Sequence, residues 1–423
     1  MRTTTAVRSG AAVLALVLTA CTGDDESSDA ADDAAELSGD LTVWIMDPGN
    51  PEAQATIEAT GAAFEGEHEG VTIDIEYVPP ADAHDRFVTG IAADLVPDLA
   101  EMGTTWTPGF GELGALAPVQ EAQGVEYVDA LVESGTVDGT TYGYPWYADV
   151  TALIYRTDVF DQAGVEPPTT WDEIRSVGDA IAATVPDIAP LHVAGGHVPM
   201  MASLVWGAGG EIATQQGDTW QAGVDSAAGR DAFGFFETLW KKGWSPVDAV
   251  QWDADDAREA FTRGRSAMMI GGGSDLSAVL SANPDLEGKV GVALMPAGPA
   301  GSQDAVAGGS HLVVFQESDQ QELAHAFARY MIAPGQVATF TEQIGFLPGT
   351  VAGVDASIGD DDLAGVFGRQ LVEHSRSYPP AGWWGSVEGG LVLPEQAQRL
   401  MRGEITAEEA AVAADAAIQH AIG

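Results

Sequence analysis

The first third of the chain alternates strand and helix patterns, and this alternation restricts the fold more than any other feature. Residues 41–46 form a continuous apolar run of strand length, which is typical of a parallel strand covered on both faces. Asn50 and Pro51 favour a helix start, because Asn is a good N-cap and Pro is tolerated at the first helical position. Residues 71–77 alternate apolar and polar side chains, and residues 99–102 form a third short run after a second helical segment. This order predicts an α/β fold with a mostly parallel sheet.

A second α/β unit is predicted further along the chain. Residues 152–155 have a strand pattern, and Thr170 with Glu173 forms a capping box that begins a helix. The last quarter of the sequence is mainly helical in pattern, and Thr406 with Glu409 marks the start of its final helix. Because 423 residues exceed what one hydrophobic core usually serves, we expect two domains or two lobes.

The N-terminus has the layout of a bacterial export signal. Two arginines precede an apolar run over residues 14–20, which is too short to span a bilayer. The run ends at Cys21, the only cysteine, and the sequence Leu-Thr-Ala-Cys at this point resembles the bacterial lipobox, in which the cysteine is lipidated. We therefore predict a lipoprotein signal peptide over residues 1–20, lipidation of Cys21 and a disordered acidic tether over residues 21–40.

The charge balance excludes one class of partner. There are 64 Asp and Glu residues against 17 Lys and Arg, which gives a net charge of -47 and argues against binding to nucleic-acid phosphates. A single cysteine cannot form an internal disulfide, so the stability of this exported chain must come from burial. With 45% apolar residues, the chain has enough apolar side chains to form a hydrophobic core.

Sequence motifs of catalysis and metal binding are absent. The Gly-x-Ser-x-Gly turn, the Gly-rich phosphate loop with lysine, the His-Glu-x-x-His pair and clustered Cys and His ligands do not occur. Gly271-Gly272-Gly273 follows a predicted strand, but a tight strand-to-helix turn explains it as well as a phosphate loop does. We therefore expect no catalytic residue, no metal and no cofactor.

Several of the 11 tryptophans fall in predicted loops, where binding sites tend to form. They are Trp106, Trp146 and the adjacent pair Trp383 and Trp384. The C–H faces of a sugar ring stack on indoles while its hydroxyl groups need carboxylates and amides, so loop tryptophans beside aspartates favour a neutral polyol ligand. Packing in the core is the alternative for each of them.

The most characteristic stretch of the chain lies at residues 137–158 and contains Tyr144-Pro145-Trp146-Tyr147-Ala148-Asp149. Together with residues 163–174 it resembles the extracellular sugar-binding proteins of ABC importers, the extracellular solute-binding protein family 1. Supporting matches lie at residues 97–118, 261–269 and 345–348. These motifs are specific for the family and not for one sugar.

The resemblance implies a periplasmic-binding-protein-like fold of type II, in which two α/β lobes are joined by a hinge and the ligand lies in the cleft between them. It implies that residues 41–147 with 305–349 form lobe 1 and that residues 148–304 with 350–423 form lobe 2. The protein would then be a monomeric, lipid-anchored receptor on the extracellular face of the cell membrane. It would deliver an oligosaccharide to permease subunits that a cytoplasmic ATPase drives.

The resemblance and the loop tryptophans together indicate nine ligand-binding positions. Asp149 is expected to accept hydrogen bonds from sugar hydroxyls, and the late aromatic pair is expected to form a stacking floor. The full set is Asp47, Asn50, Trp106, Trp146, Asp149, Trp206, Ser274, Trp383 and Trp384. Maltodextrin-binding relatives carry a tryptophan where this chain has Gly273 and Ser274, which leaves the sugar open. The motifs are most similar to those of actinobacterial binders of disaccharides and chito-oligosaccharides.

Two other functions stay open from the residues alone. Acids and tryptophans also line the sites of glycoside hydrolases, which need two carboxylates about 5 to 9.5 Å apart across the scissile bond. The same fold could instead bind a polyamine or another small solute, since acids and aromatics also hold a cation.

Overall fold

The computed structural model describes residues 37–120, 124–358 and 363–423. Cys21 and the predicted signal peptide lie outside the described residues. The strands are β1 (Gly39–Met46), β2 (Val71–Val78), β3 (Leu99–Gly103), β4 (Thr136–Val137), β5 (Thr140–Thr141), β6 (Tyr144–Val150), β7 (Ala152–Arg156), β8 (Ala189–Leu191), β9 (Ala213–Gln216), β10 (Thr219–Ala222), β11 (Ser266–Gly271), β12 (Val290–Ala293), β13 (Ala305–Val314), β14 (Leu347–Pro348) and β15 (Ser375–Arg376).

The helices follow the same chain order. They are α1 (Pro51–Glu67), α2 (Pro80–Ala93), α3 (Thr107–Glu112), α4 (Asp129–Ser134), α5 (Thr157–Ala163), α6 (Trp171–Thr184), α7 (Val198–Gly207), α8 (Ala227–Lys241), α9 (Ala254–Thr262), α10 (Gly273–Ala282), α11 (Gln321–Met331), α12 (Pro334–Ile344), α13 (Val351–Ser357), α14 (Leu363–Glu373), α15 (Trp384–Gly389), α16 (Val392–Met401) and α17 (Ala407–Ile422). Short 3-10 helices lie at Val247–Val250 and Pro284–Leu286.

The predicted helix starts are confirmed by their caps. Asn50 accepts a hydrogen bond from the backbone N–H of Glu52 at the start of α1, with Pro51 in the first turn. At the start of α17, Thr406 and Glu409 form the full reciprocal capping box. These ends are local features of the chain, which is why sequence patterns identify them.

The larger sheet contains the predicted parallel unit and adds strands from remote parts of the chain. β1 pairs in parallel with both β2 and β3, as the strand and helix alternation predicts. β13 then lies antiparallel to β3 on one side and to β6 on the other. The strand order is β14-β6-β13-β3-β1-β2, and β15 pairs with the start of β13.

The smaller sheet has the strand order β12-β7-β11-β8. β6 of the larger sheet ends at Val150 and β7 of the smaller sheet begins at Ala152, so the chain passes between the sheets at Thr151. β13 carries the chain back after β12. These two crossings bring the ends of both sheets to the same region of the molecule.

The core includes α7, a helix that the sequence patterns did not predict. α7 is buried along nearly its whole length and packs against α8. Its apolar residues surround the helix instead of following one face, so it has no amphipathic period for a sequence pattern to reveal. In the part of the chain that is described, no helix is both long and apolar enough to cross a membrane.

Candidate ligand-binding cleft

A cleft of about 590 Å³ opens where the two sheets meet. Its walls come from the loop after β3, the passage between β6 and β7, the start of α10 and the middle of β13. We call this space the cleft, and its lining residues are Met46, residues 103–106, residues 149–151, Val198, Pro199, Gly272, Asp275, Val306, residues 308–310, Phe346, Tyr378 and Glu388.

Asp149 joins the crossing strand β6 to the start of α10. Its Oδ1 accepts hydrogen bonds from the backbone N–H groups of Val150 at 2.9 Å and Gly273 at 2.8 Å. Its Oδ2 accepts from the backbone N–H of Ser274 at 3.2 Å and from the Ser274 hydroxyl at 2.5 Å. Each carboxylate oxygen therefore already accepts two hydrogen bonds, and the positive end of the helix dipole favours the charge.

The glycine run that precedes α10 makes room for this carboxylate. A Cβ atom on Gly272 would lie 2.3 Å from both oxygens of Asp149, and one on Gly273 would lie 2.8 Å from the carbonyl oxygen of Gly345. The run is thus a tight strand-to-helix turn whose N–H groups bind an internal carboxylate. Burial raises the pKa of Asp149 to about 6, against the lowering effect of the hydrogen bonds from Ser274 and Gly273.

A second buried acid, Glu101, lies under the cleft in the larger sheet. Its Oε1 accepts hydrogen bonds from the hydroxyls of Tyr147 and of Ser310, the latter at 2.8 Å, and its Oε2 accepts from the Met46 N–H at 2.9 Å. Glu101 is 1% exposed, and burial raises its pKa to about 7. Sequence reasoning missed this residue, although an acid inside an otherwise apolar strand was a visible signal.

The aromatic lining of the cleft consists of Trp106, Phe346 and Tyr378, all half-buried. Trp384, which the sequence predicts as part of the stacking floor, is 1% exposed and lies behind Tyr378 with its ring stacked on it at 4.7 Å. Trp383 contacts Trp220 edge-on at 5.6 Å, outside the cleft lining. The late aromatic pair therefore supports Tyr378 and does not itself form the surface.

Three other predicted contacts have local roles away from the cleft. Asp47 accepts hydrogen bonds from the Gly49 N–H and the Gln54 amide, while Asn50 caps α1. Trp146 is 2% exposed and its indole stacks on Phe340 at 4.8 Å, so it is a core residue. Packing therefore covers Trp146, whereas the side chains of Asp47 and Asn50 are half-buried and bind groups of their own segment.

Trp206 lies at a second cavity of about 660 Å³, which we call the side groove. Its ring is buried under the guanidinium of Arg376, which is 5.1 Å from the ring centre and forms a two-pronged ion pair with Glu211. The lining residues of the side groove are Asp129, Val132, Glu133, Thr136, Asp138, Gly139, Trp206, residues 211–215, Trp220 and residues 376–380.

The cleft also holds polar groups that the protein leaves available. The Thr151 hydroxyl, at the passage between the sheets, is buried and has no hydrogen-bond partner among the described residues. Burial raises the pKa of Glu388, and a hydrogen bond from Thr105 opposes this rise. By contrast, Asp275 is engaged by Arg258 at 2.8 Å and by the Gly272 N–H. A carboxylate accepts more than one hydrogen bond, so Glu388 keeps acceptor capacity in the cleft wall in addition to its bond from Thr105.

Among the described residues, no group of three or more His, Cys, Asp or Glu side chains has the arrangement of a metal site. The acids of the cleft bind backbone N–H groups, hydroxyls and Arg258 instead.

Comparisons with known proteins match nearly the whole described chain. Residues 48–338 match the family of bacterial extracellular solute-binding proteins. The diacetylchitobiose binding protein DasA of Streptomyces coelicolor is 26% identical over 353 residues, which cover 80% of this chain and 80% of that protein.

Solved structures show the same likeness. The sugar-binding protein MalE of Xanthomonas citri is 28% identical with a TM-score of 0.81, over 91% of this chain and 97% of that one. The GacH receptor of Streptomyces glaucescens, solved without ligand and with acarbose, is 26% identical with a TM-score of 0.75, over 92% and 99% of the two chains.

Proposed function

We propose that this chain, which belongs to the bacterial extracellular solute-binding protein family, is a receptor that binds an oligosaccharide for an ABC importer. The observation that carries the proposal is the cleft, in which Trp106 and Tyr378 lie with the Thr151 hydroxyl at the passage between the two sheets. This hydroxyl has no hydrogen-bond partner within residues 37–120, 124–358 and 363–423. Aromatic area beside free hydrogen-bonding groups suits a neutral sugar. The diacetylchitobiose binding protein and the acarbose-bound receptor support this ligand class.

The proposed roles of the site residues follow from their contacts. Trp106 and Tyr378 provide stacking area, and Thr151 and Glu388 bind hydroxyls of the sugar. Asp149 acts at the ligand through the turn that it holds, because its own acceptor positions are filled by Gly273, Ser274 and Val150. Ser274 is part of this turn and not a first contact of the sugar.

The two sheets belong, in this proposal, to two lobes that close on the ligand. The resemblance gives residues 41–147 with 305–349 for lobe 1 and residues 148–304 with 350–423 for lobe 2. The sheets shift these bounds, because β6 of the larger sheet continues to Val150 and β15 pairs with β13. Closure gives the permease a way to distinguish the loaded receptor from the empty one. Small-angle scattering should show compaction when the ligand is added, and an unchanged radius of gyration would contradict closure.

We further propose that the receptor is held at the extracellular face of the membrane by lipidation of Cys21, after removal of residues 1–20. A diacylated cysteine supplies two chains, which is enough for stable anchoring where one chain is marginal. Cys21→Ser should release the monomeric protein into the medium, and retention in the membrane fraction would contradict the anchor. An actinobacterial source accords with the motifs.

The proposal includes no catalytic turnover. Of the acids that line the cleft, Asp149 and Asp275 are occupied by N–H groups and Arg258, and Glu388 alone does not provide the pair of carboxylates that glycoside hydrolysis needs. Incubation with candidate oligosaccharides should release no shorter sugar. Detection of shortened products by chromatography would favour a glycoside hydrolase.

Thermal shift of the purified protein tests the ligand class directly. The panel is cellobiose, chitobiose, maltose, trehalose, xylobiose and spermidine, because binding to the native state raises the melting temperature by mass action. A shift with one of the sugars supports the proposal. A shift with spermidine alone, weakened by salt, would replace the sugar by a polyamine.

A further inference from the structure

We propose that the oligosaccharide extends past Tyr378 and places further glycosyl units in the side groove, so that the receptor prefers chains longer than a disaccharide. This inference rests on the proposed function. Its geometric basis is that Tyr378 lines both the cleft and the side groove, so the two cavities border the same side chain. The side groove, at about 660 Å³, is at least as large as the cleft.

Trp220 supplies aromatic surface in the groove. It is half-buried, stands on the hairpin of β9 and β10, and contacts the edge of Trp383 at 5.6 Å. Trp206 has no such free face, because it is buried under Arg376. Trp220 is therefore the aromatic residue of the groove on which a ring of the ligand can rest.

The polar groups of the groove are complementary to a ligand that both donates and accepts hydrogen bonds. The exposed side chain of Glu133 lies in the groove wall, where its carboxylate can accept hydrogen bonds from a ligand in place of water. The Ser377 hydroxyl is buried without a partner in the described part of the chain, and the residue is 9% exposed. Sugar hydroxyls donate to the first group and bond the second in either direction.

The charges of the groove do not by themselves select a neutral ligand. Arg376 is paired with Glu211, and Asp129, Glu133 and Asp138 also line the groove, so the wall is negatively charged. The spermidine arm of the thermal-shift panel therefore also tests this groove.

Titration calorimetry with cello-, chito- and malto-oligosaccharides, from disaccharide to pentasaccharide, tests the inference. In the series that binds, we expect one ligand per chain and an affinity that rises about tenfold or more between disaccharide and tetrasaccharide, the gain from one aromatic contact with its hydrogen bonds. Trp220→Ala should weaken the tetrasaccharide about tenfold more than the disaccharide. Gln216→Ala, on the same hairpin but outside the groove lining, is the matched control and should leave the ratio unchanged.

Glu133→Gln provides a second, nearly isosteric variant in case Trp220→Ala unfolds, and it should also reduce the preference for longer chains. Equal affinity for all chain lengths, two disaccharides bound per chain, or equal weakening of short and long ligands by Trp220→Ala would overturn the inference while leaving the receptor function intact. If no sugar of any length binds, the proposed function fails, and this inference fails with it.

Discussion

Two buried carboxyl groups flank the cleft, and they are held in different ways. Asp149 is bound by backbone N–H groups at the start of α10, which cannot turn away and can only donate. Glu101 is bound mainly by the hydroxyls of Tyr147 and Ser310, which can rotate and accept instead. The position of Asp149 therefore needs a side chain that accepts hydrogen bonds through both oxygens. The position of Glu101 can also hold a protonated or amide side chain, because the neighbouring hydroxyls can accept from it.

The two acids also connect different parts of the fold. Every partner of Glu101 lies in the larger sheet, on β1, β6 and β13. Asp149 instead links a strand of the larger sheet to a helix that follows β11 of the smaller sheet. Changes at Glu101 should thus act within the larger sheet and mainly on stability, while changes at Asp149 should act on both sheets and so on stability and ligand binding together.

The largest expected effect is a pH dependence of stability from Glu101. Its pKa rises from 4.5 to about 7 on folding, so the folded state binds the proton more tightly, and stability present below pH 4.5 is lost as the pH rises through 7. This loss is on the order of 3 kcal/mol. Denaturant unfolding of wild type and Glu101→Gln between pH 4.5 and 7.5 measures it, since the variant should lack this loss.

A stability difference between these two proteins that is constant with pH would contradict the assignment. Asp149 adds a similar dependence in a lower window, between pH 3.8 and about 6, because burial raises its pKa as well. Because both proteins keep Asp149, its pH dependence cancels in the difference between them, which reports Glu101.

Gly272→Ala should be the most damaging change on the Asp149 side. The new Cβ would lie 2.3 Å from the carboxylate and displace it from the turn, at a cost of about 2–3 kcal/mol in the free energy of unfolding. Gly234→Ala in α8 is the control, because nothing lies within 4 Å of its Cβ and alanine favours the helix by up to about 1 kcal/mol. Equal unfolding free energies for the two variants would show that the close approach is absent.

Asp149→Asn should cost about 1–2 kcal/mol of stability at pH 7.5, because its amide places N–H groups against backbone N–H donors. Glu101→Gln should cost less at the same pH, since the Tyr147 and Ser310 hydroxyls can accept from the new amide. Urea unfolding of both variants decides the order. The reverse order would disprove the distinction between fixed and rotating donors.

The smallest and sharpest comparison removes one hydroxyl from each site. Ser274→Ala and Tyr147→Phe each delete one donor to a carboxyl, outside the cleft lining, and each should cost about 1 kcal/mol of stability. Asp149 links β6 of the larger sheet to α10 beside the smaller sheet, so of the two variants Ser274→Ala alone should reduce the thermal shift produced by the sugar. Equal shifts in the two variants would place Asp149 and Glu101 in the same structural role.

Much of the architecture was predictable from local patterns. The helix start at Asn50, the capping box at Thr406 and the parallel strands of the first third are confirmed by the structure. The predicted type II fold is confirmed by the likeness to MalE of Xanthomonas citri, and the predicted family by the match over residues 48–338. Each of these predictions rests on neighbouring residues or on an extended motif.

The composition of the site depended on contacts between distant residues. Trp106, Asp149 and Ser274 come together as predicted positions at or beside the cleft, but Trp146 and Trp384 are covered by Phe340 and Tyr378. No property of a tryptophan in its own segment reveals whether a remote ring will cover it. Loop position alone was therefore a poor guide to exposure.

Strand and helix periods, caps and family motifs depend on residues that are close in the sequence. The sequence alone therefore determined the α/β class, and its motif indicated that Asp149 lies at the cleft. The central place of β13 in the larger sheet, and the choice of partners for Asp149, arise only when segments more than a hundred residues apart meet. These long-range contacts decide which hydrogen bonds form and which groups are buried. A carboxylate whose acceptor positions are filled by donors of the protein stabilises the fold, whereas one with free positions can bind a ligand.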